Sequence, residues 1–374
     1  MTNCCRKNKC CAPKHEPWVT GEIATPVGKV PRVGTRVTLR DELGALRVRF
    51  AIGRMEYTVP PGLYAVGAPT PESPVFASAN YKLSFDYLRC ALGGTSGWIL
   101  VLDTKGINVW CAAGKGTFGT AEIVSRVQQT QLDRLVAHRK LIVPQLGAPG
   151  VSAHEVQKQC GFQVIYGPVR AEDIPEFLSA NFKTTPEMRR VHFTIHDRIA
   201  VIPVELVIWF KPALGLAVLV ALLSGISRTG FSLAAAPRAF GLVFTGWLTG
   251  GALVPVLLPR LPGRAFSIKG LWAGFVLWLV LLSGSLGQLA LPRISVFVGK
   301  ATPPAEPILG NTPYELIGWG LLLSAIVSFM ALNFTGTSTY TSMSGVKKEM
   351  KIAIPLQLIA AVAGIFGILI GGLQ

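Results

Sequence analysis

The chain has 374 residues, with 36 Lys and Arg against 20 Asp and Glu, and a net charge of +16 spread over both halves. That length accommodates about two domains. Basic and aromatic residues do not interleave in clusters, so nucleic-acid binding is not indicated, and the excess charge reads as attraction to a membrane surface and to an acidic partner.

Residues 1–36 form a basic tail that carries Cys4, Cys5, Cys10 and Cys11. No apolar stretch follows the N-terminus as in a cleaved secretory signal, so the domain after the tail is expected in the cytoplasm. Thiols there stay reduced and are available to metals. Val37–Arg40 and Leu46–Ile52 flank Asp41–Gly44 and read as a β-hairpin. Beyond Gly62, short apolar runs at Val75–Ala77, Trp98–Leu102, Leu141–Pro144 and Phe162–Tyr166 read as buried strands. They alternate with helical spacing over Leu83–Leu92, Thr120–His138, Ser152–Cys160 and Glu172–Ser179. The alternation predicts a doubly wound, Rossmann-like α/β domain over residues 37–199 with a largely parallel sheet. Its ligand is expected at the strand C-terminal ends, on the loops after Asp103 and Pro144.

The segment Gly106–Gly119 lies on the first of those loops. Gly114-Lys115-Gly116-Thr117 suggests a phosphate-binding loop, but that motif needs a glycine where Val109 stands and a hydroxyl where Gly116 stands. Gly114, Gly116 and Gly119 satisfy G-x-G-x-x-G, yet the Trp98–Asp103 strand ends well before them, and the next strand lacks the acidic residue that would hold a ribose. A third reading starts at Cys111. Asn108 can cap a short helix whose first turn holds this cysteine, and backbone amides there are expected to lower the thiol pKa. Ala112, Ala113 and Gly114 remove side-chain bulk, so a large flat ring can approach one helical face with sulfur as its only protruding donor. The plainer reading is a packing cysteine behind a glycine-rich turn, and Cys90 and Cys160 keep that reading.

From Leu206 onward charge nearly disappears, and the apolar runs approach the roughly 20 residues a helix needs to cross about 30 Å of hydrocarbon. Five spans are predicted, at about Leu206–Ile226, Ala239–Leu258, Gly270–Leu289, Tyr314–Leu332 and Ala353–Leu373, giving an all-α transmembrane domain over residues 200–374. An odd number of spans puts the C-terminus outside. Arg260, Arg264 and Lys269 fall in one inner loop and Lys347, Lys348 and Lys351 in the other. Glu205, Lys211 and Glu315 lie in or beside spans and read as interfacial.

Residues 108–115, Asn-Val-Trp-Cys-Ala-Ala-Gly-Lys, resemble the cap-helix signature of the corrinoid-dependent mercury-methylation proteins. Pro61–Tyr64, Ser78–Lys82 and Pro144–Gly150 resemble the corrinoid domain of the corrinoid iron–sulfur protein of acetyl-CoA synthesis. The resemblance covers roughly residues 45–199, and five following spans suit the mercury proteins. It implies a cobalamin-type corrinoid bound through Asn108, Val109, Trp110, Cys111, Ala112, Ala113, Gly114, Lys115, Gln145 and Gly147, with the Cys111 thiolate as the lower axial ligand to cobalt. It further implies a methyl group taken from a methylated pterin donor and delivered to Hg(II), with a small ferredoxin-like partner carrying 4Fe–4S clusters as reductant. The site would face the cytoplasm from the inner cell membrane. In that setting Cys4, Cys5, Cys10 and Cys11 become candidates for capturing soft Hg(II). Two other functions stand beside this one: a membrane corrinoid protein serving a different methyl acceptor, and a non-catalytic metal-binding or transport protein.

Overall fold

The computed structural model describes residues 16–297, 307–336 and 343–374. The chain divides into two compact units, one over Met1–Val48 and Ile52–His192, the other over Arg49–Ala51 and Phe193–Gln374. Cys4, Cys5, Cys10 and Cys11 lie outside the described residues.

The first unit is built on a seven-stranded mixed sheet, β1 (Val19–Thr25), β2 (Gly28–Val33), β3 (Gly62–Val66), β4 (Val75–Ala79), β5 (Gly97–Leu102), β6 (Lys140–Val143) and β7 (Gln163–Tyr166). The strand order is β1-β2-β3-β5-β4-β6-β7. Strands β5, β4, β6 and β7 run parallel to one another, but β1 pairs antiparallel with β2, and β3 antiparallel with β5. The sheet is therefore mixed rather than largely parallel.

Successive strand side chains point to opposite faces, and here both faces are covered. Trp98, Leu100 and Leu102 of β5 pack on one side with Ala112, Ile123, Leu132 and Val156. Ile99 and Val101 pack on the other with Phe85, Leu88 and Phe177. Burial on both faces explains why β4 and β5 read as unbroken apolar runs. The helices are α1 (Leu39–Arg49), α2 (Lys82–Ala91), α3 (Val109–Lys115), α4 (Thr120–Gln129), α5 (Leu132–Leu135), α6 (Ala153–Cys160) and α7 (Ile174–Ser179).

Three sequence expectations are corrected. The hairpin expected over residues 37–52 is helix α1. Thr38 and Asp41 form a reciprocal cap, in which the Thr38 amide and hydroxyl donate to Asp41 Oδ2 at 3.0 and 2.9 Å and the Asp41 amide donates to Thr38 Oγ1 at 3.3 Å. The acidic pair read as a turn is thus the first turn of a helix. The real hairpin is β1–β2, within the stretch expected as tail, and β2 joins it to the sheet through β3. The helix expected over Thr120–His138 breaks at Gln131, whose φ of 49° is left-handed, and resumes as α5.

The second unit contains α8 (Ile195–Leu223), a short hairpin of β8 (Ile226–Ser227) and β9 (Gly230–Phe231), then α9 (Ala236–Leu248). A π-helical stretch over Thr249–Leu253 joins α9 to α10 (Val254–Leu257), followed by α11 (Phe266–Phe297), α12 (Pro313–Asn333) and α13 (Met343–Gly372). Five segments are long and apolar enough to cross a membrane: Ile195–Leu223, Ala236–Leu257, Phe266–Leu286, Pro313–Gly336 and Gly345–Gly372. The first helix begins well before the expected apolar run because Thr194 and Asp197 form a capping box there, and Thr312 and Glu315 do the same for α12. Polar caps extend a helix past the stretch that hydropathy marks. Helix α12 is the most enclosed, with Trp319, Leu322, Leu323 and Val327 buried.

Candidate functional site

Strand β5 delivers the chain to Asp103 at the sheet edge where β4 and β6 also end, and helix α3 starts six residues later. Asn108 is its N-cap, with extended backbone and Oδ1 accepting from the Cys111 amide at 2.9 Å. Gly116 ends the helix at φ 82°, a left-handed position that favours glycine. Ala112 and Ala113 are buried toward the sheet. Cys111, Gly114 and Lys115 stand three and four residues apart and share the opposite face.

The loop into α3 is held by one buried side chain. Asn80, directly after β4, accepts through Oδ1 from the Thr104 amide at 3.1 Å, the Thr104 hydroxyl at 2.8 Å and the Gly106 amide at 3.0 Å. The single hydroxyl proton of Thr104 is shared between Asn80 Oδ1 and the Ile107 carbonyl, 2.7 Å from Oγ1. From the other side, the turn Gln145–Gly150 after β6 presses against α3. A Cβ on Gly150 would stand 2.2 Å from the Phe118 carbonyl and 3.0 Å from Ala113 Cα, and one on Gly147 would stand 2.5 Å from the Phe118 ring. These glycines let two backbones touch. Of the expected corrinoid set, Gly147 lies against the Phe118 ring just beyond α3, and the Gln145 amide donates to the Pro168 carbonyl at 3.4 Å.

Gly114 is different. A Cβ there meets nothing within 4 Å, so packing within the described chain does not call for a glycine. Its bareness leaves a flat exposed face beside the sulfur. Cys111 itself is half-buried. Burial pushes its thiol up, because the thiolate loses water, and the charges of Lys115 and Arg54 and a hydrogen bond from Asn108 offset part of that rise. The helix start does not leave the thiol below its ordinary value, contrary to the sequence expectation. Burial likewise raises the thiols of Cys90 and Cys160, but Cys90 sits among the charges of Arg89, Asp86, Asp41 and Lys82, and Cys160 donates to the Val156 carbonyl at 3.2 Å. Among these three described thiols, only Cys111 combines two nearby cations with a bare neighbouring surface.

Among the described residues, no three His, Cys, Asp or Glu side chains converge as metal ligands. A metal at Cys111 would meet a single protein donor and would bring its remaining ligands with it, as the metal of a macrocycle does. Two hollows of the α/β unit, about 330 and about 510 Å³, lie at the opposite sheet edge, lined by Val75, His138 and Lys140 and by Pro71, Trp98 and Arg139. Neither touches α3. A wide flat ligand needs a face more than a hollow, and the face is at Gly114. Asn80, Thr104 and Arg54 were not singled out from sequence. Asn80 bonds across 24 residues to Thr104, which no local pattern announces.

Residues 43–178 match the family described as CO dehydrogenase/acetyl-CoA synthase delta subunit. The chain is 32% identical over 131 residues to the acetyl-CoA decarbonylase/synthase complex subunit gamma of Archaeoglobus fulgidus, covering 34% of this chain and 27% of that protein. It is 30% identical over 125 residues to subunit gamma from Methanopyrus kandleri, covering 32% and 26% of the two chains. It is also 30% identical over 121 residues to the corrinoid/iron-sulfur protein large subunit of Moorella thermoacetica, covering 32% and 27%. The chain thus spans about a quarter of the length of these relatives.

Proposed function

We propose that the α/β unit binds a cobalamin-type corrinoid over the exposed face of α3, with the Cys111 thiolate as lower axial ligand to cobalt, and that the protein is a methyltransferase forming methylmercury from Hg(II). The observation that carries this reading is the Asn108-capped helix that presents Cys111 beside Gly114, at the C-terminal ends of β4, β5 and β6. The family match over residues 43–178 and the likeness to a corrinoid/iron-sulfur protein large subunit support it.

A bound corrinoid supplies a cobalt that takes up and releases a methyl group. The chain's residues supply the rest. Asn108 fixes the backbone of Cys111, Lys115 and Arg54 favour its thiolate, and Gly147 and Gly150 hold the helix so that the sulfur has one position. Val109, Trp110, Ala112 and Ala113 complete the cap helix. Hg(II) is an electrophile that takes a methyl group with its bonding pair, so a corrinoid held by the anionic sulfur of Cys111 would suit this acceptor better than one held by a neutral imidazole. Cys4, Cys5, Cys10 and Cys11 would capture Hg(II), a methylated pterin system would supply methyl groups, and an acidic ferredoxin-like 4Fe–4S protein would supply electrons to the basic domain. The five apolar helices would anchor the unit at the cytoplasmic face of the inner membrane, leaving Gln374 outside. The names of the relatives favour one alternative, delivery of the methyl group to a different acceptor in one-carbon metabolism.

The test is the full chain purified without oxygen. A corrinoid spectrum and methylmercury formation from thiol-bound Hg(II), given methyl donor and reduced partner, are expected. Cys111→Ala should alter the spectrum and abolish transfer, whereas Cys111→His should restore an axial donor but transfer slowly. A wild-type spectrum and rate in Cys111→Ala would refute the ligation. A coloured protein that methylates another acceptor but never Hg(II) would favour the alternative.

A further inference from the structure

Helix α1 is turned inside out. At 100° per residue its apolar side chains Leu39, Leu43 and Leu46 fall within about 60° of one another, and these three, with Phe50 just past the helix end, are 72%, 53%, 51% and 43% exposed. The face turned inward carries Asp41, Gly44 and Val48 instead. Asp41 is gripped by Lys82 Nζ at 2.6 Å and by Arg89 at 2.9 Å, and Gly44 lies against Tyr57, whose hydroxyl stands 2.6 Å from where a Cβ would be. Val37, Ile52 and Met55 extend the stripe at either end of the helix. Of the nine large hydrophobic side chains that residues 16–192 expose, these seven form one stretch, and only Tyr87 and Val191 lie elsewhere.

Charge says what the stripe faces. Arg40 and Arg47 are exposed along one flank, Arg36 stands exposed just before the helix, and Arg49 and Arg54 are partly exposed at its end, against exposed Glu42 and Glu56. A stripe of Leu and Phe bordered by Arg on a helix is the pattern that lies in the headgroup layer of an anionic bilayer. A soluble-protein partner would need an acidic groove of matching length. A lipid surface is already implied next to the chain by its five apolar helices. We infer that α1 is an interfacial helix that seats the α/β unit on anionic lipid. This rests on the reading of those helices as membrane spans. Because the network at Asp41 already fixes α1 in the folded protein, seating it needs no coupled folding. The seat also bears on the candidate site, since Gly106, at the start of the loop into α3, packs against the Met55 carbonyl, 2.6 Å from its Cβ position.

Hydrogen exchange of the full chain without corrinoid tests this in nanodiscs of phosphatidylcholine alone and of phosphatidylcholine with phosphatidylglycerol. Amides of residues 36–56 should exchange about tenfold more slowly in the anionic discs, and those of α6 equally in both. The pair Arg40→Gln and Arg47→Gln should remove the dependence on phosphatidylglycerol, and the pair Leu43→Asn and Leu46→Asn should remove lipid protection altogether. Both pairs alter exposed positions, and unchanged exchange in α2 verifies the fold. Equal exchange in both lipids overturns the inference. So does protection that appears with rising protein concentration in micelles, which would mean a second copy, or only on adding the reductant protein. Alkaline extraction reports on the spans separately. A chain stripped from membranes refutes the spans, while α1 is still read by adding the same chain to preformed vesicles of the two compositions.

Discussion

In the α/β unit four charged side chains are buried against one another, whereas in the helical unit α11, α12 and α13 meet through glycines set on backbone. Lys82 bonds Asp41 at 2.6 Å and Asp86 at 2.7 Å, and Arg89 bonds Asp86 at 2.7 Å and Asp41 at 2.9 Å, with every one of these side chains less than a tenth exposed. Arg89 also donates to the Gly34 and Arg36 carbonyls at 2.6 and 2.8 Å. Between α12 and α13, a Cβ on Gly318 would stand 2.7 Å from the Gly364 carbonyl, and one on Gly364 would stand 2.7 Å from the Gly318 carbonyl. Helix α11 meets α12 in the same way, through Gly270 on Ser328 and Gly274 on Ser324. In water the burial of apolar surface is strong enough to carry a closed charge network along with it, and the network sets register. In the proposed membrane setting, lipid would remove that driving force between helices and close backbone approach would take its place. The helical unit also holds buried polar groups, Arg198 and Glu205 among them. Gln357 donates to Ser328 Oγ, which donates to the Ser267 carbonyl, each at 2.8 Å.

The largest effect is expected where a buried charge network loses a cation. Arg89→Ala leaves the buried carboxylates of Asp41 and Asp86 to share Lys82 alone, and removal of one member of such a network costs about 3–5 kcal/mol. Hydrogen exchange should show the whole α/β unit opening while α12 keeps its wild-type protection. Exchange rising equally in α12 would break the comparison, since the two units would then share one stability. Next comes pH. Burial alone would raise the Asp41 carboxyl, but hydrogen bonds from Lys82 and from the Thr38 amide and hydroxyl, with the Lys82 charge, outweigh it and pull the pKa from 3.8 to about 2. A depressed carboxylate stabilises the fold above its unfolded pKa and loses that contribution as pH falls through the folded one. Denaturant unfolding of the α/β unit should therefore weaken by about 2 kcal/mol between roughly pH 4 and pH 2. In Asp41→Asn that step should be missing.

Gly364→Val tests the other side of the comparison. Overpacking costs about 1–3 kcal/mol, and here it should lower the thermal midpoint of the helices in detergent without touching the acid step. A matching loss in the α/β unit would mean that close glycine contact is not what holds α12 to α13.

The same contrast explains what could be read from sequence. The β4 and β5 runs were legible because burial on two faces leaves unbroken apolar stretches, and the five long helices because each carries a long apolar run of its own. Asn108 was legible because a helix start is local chemistry, whereas Gly116, read only as part of a glycine motif, proves to be the helix stop. Helix α1 was not, because its apolar stripe faces outward and its inward face is paid for by Asp41, whose partners Lys82 and Arg89 are 41 and 48 residues away. Hairpin β1–β2 was hidden by its polar alternation, which read as tail. Asn80 stood in a quoted motif, but its three hydrogen bonds close only in the folded loop.

The smallest energetic effect is expected at the candidate site, and it separates two roles of one side chain. Asn108 caps α3 through the Cys111 amide and also bonds the thiol, so it holds the residue's position and lowers its pKa together. Asn108→Ala removes both. Loss of a cap costs about 1 kcal/mol, enough to loosen a seven-residue helix but not the unit, whose sheet is sealed on both faces. Asn108→Asp keeps an acceptor for the Cys111 amide and favours the positive helix start, but sets a negative charge beside the sulfur. Alkylation of Cys111 by iodoacetamide, followed by mass spectrometry across pH, should move to higher pH in both variants, through a lost hydrogen bond in one and repulsion in the other. Amide exchange in α3 should quicken only in Asn108→Ala. If Asn108→Ala leaves the alkylation midpoint where it is in the wild type, burial and the cations Lys115 and Arg54 set the thiol alone, and Asn108 is a cap and nothing more.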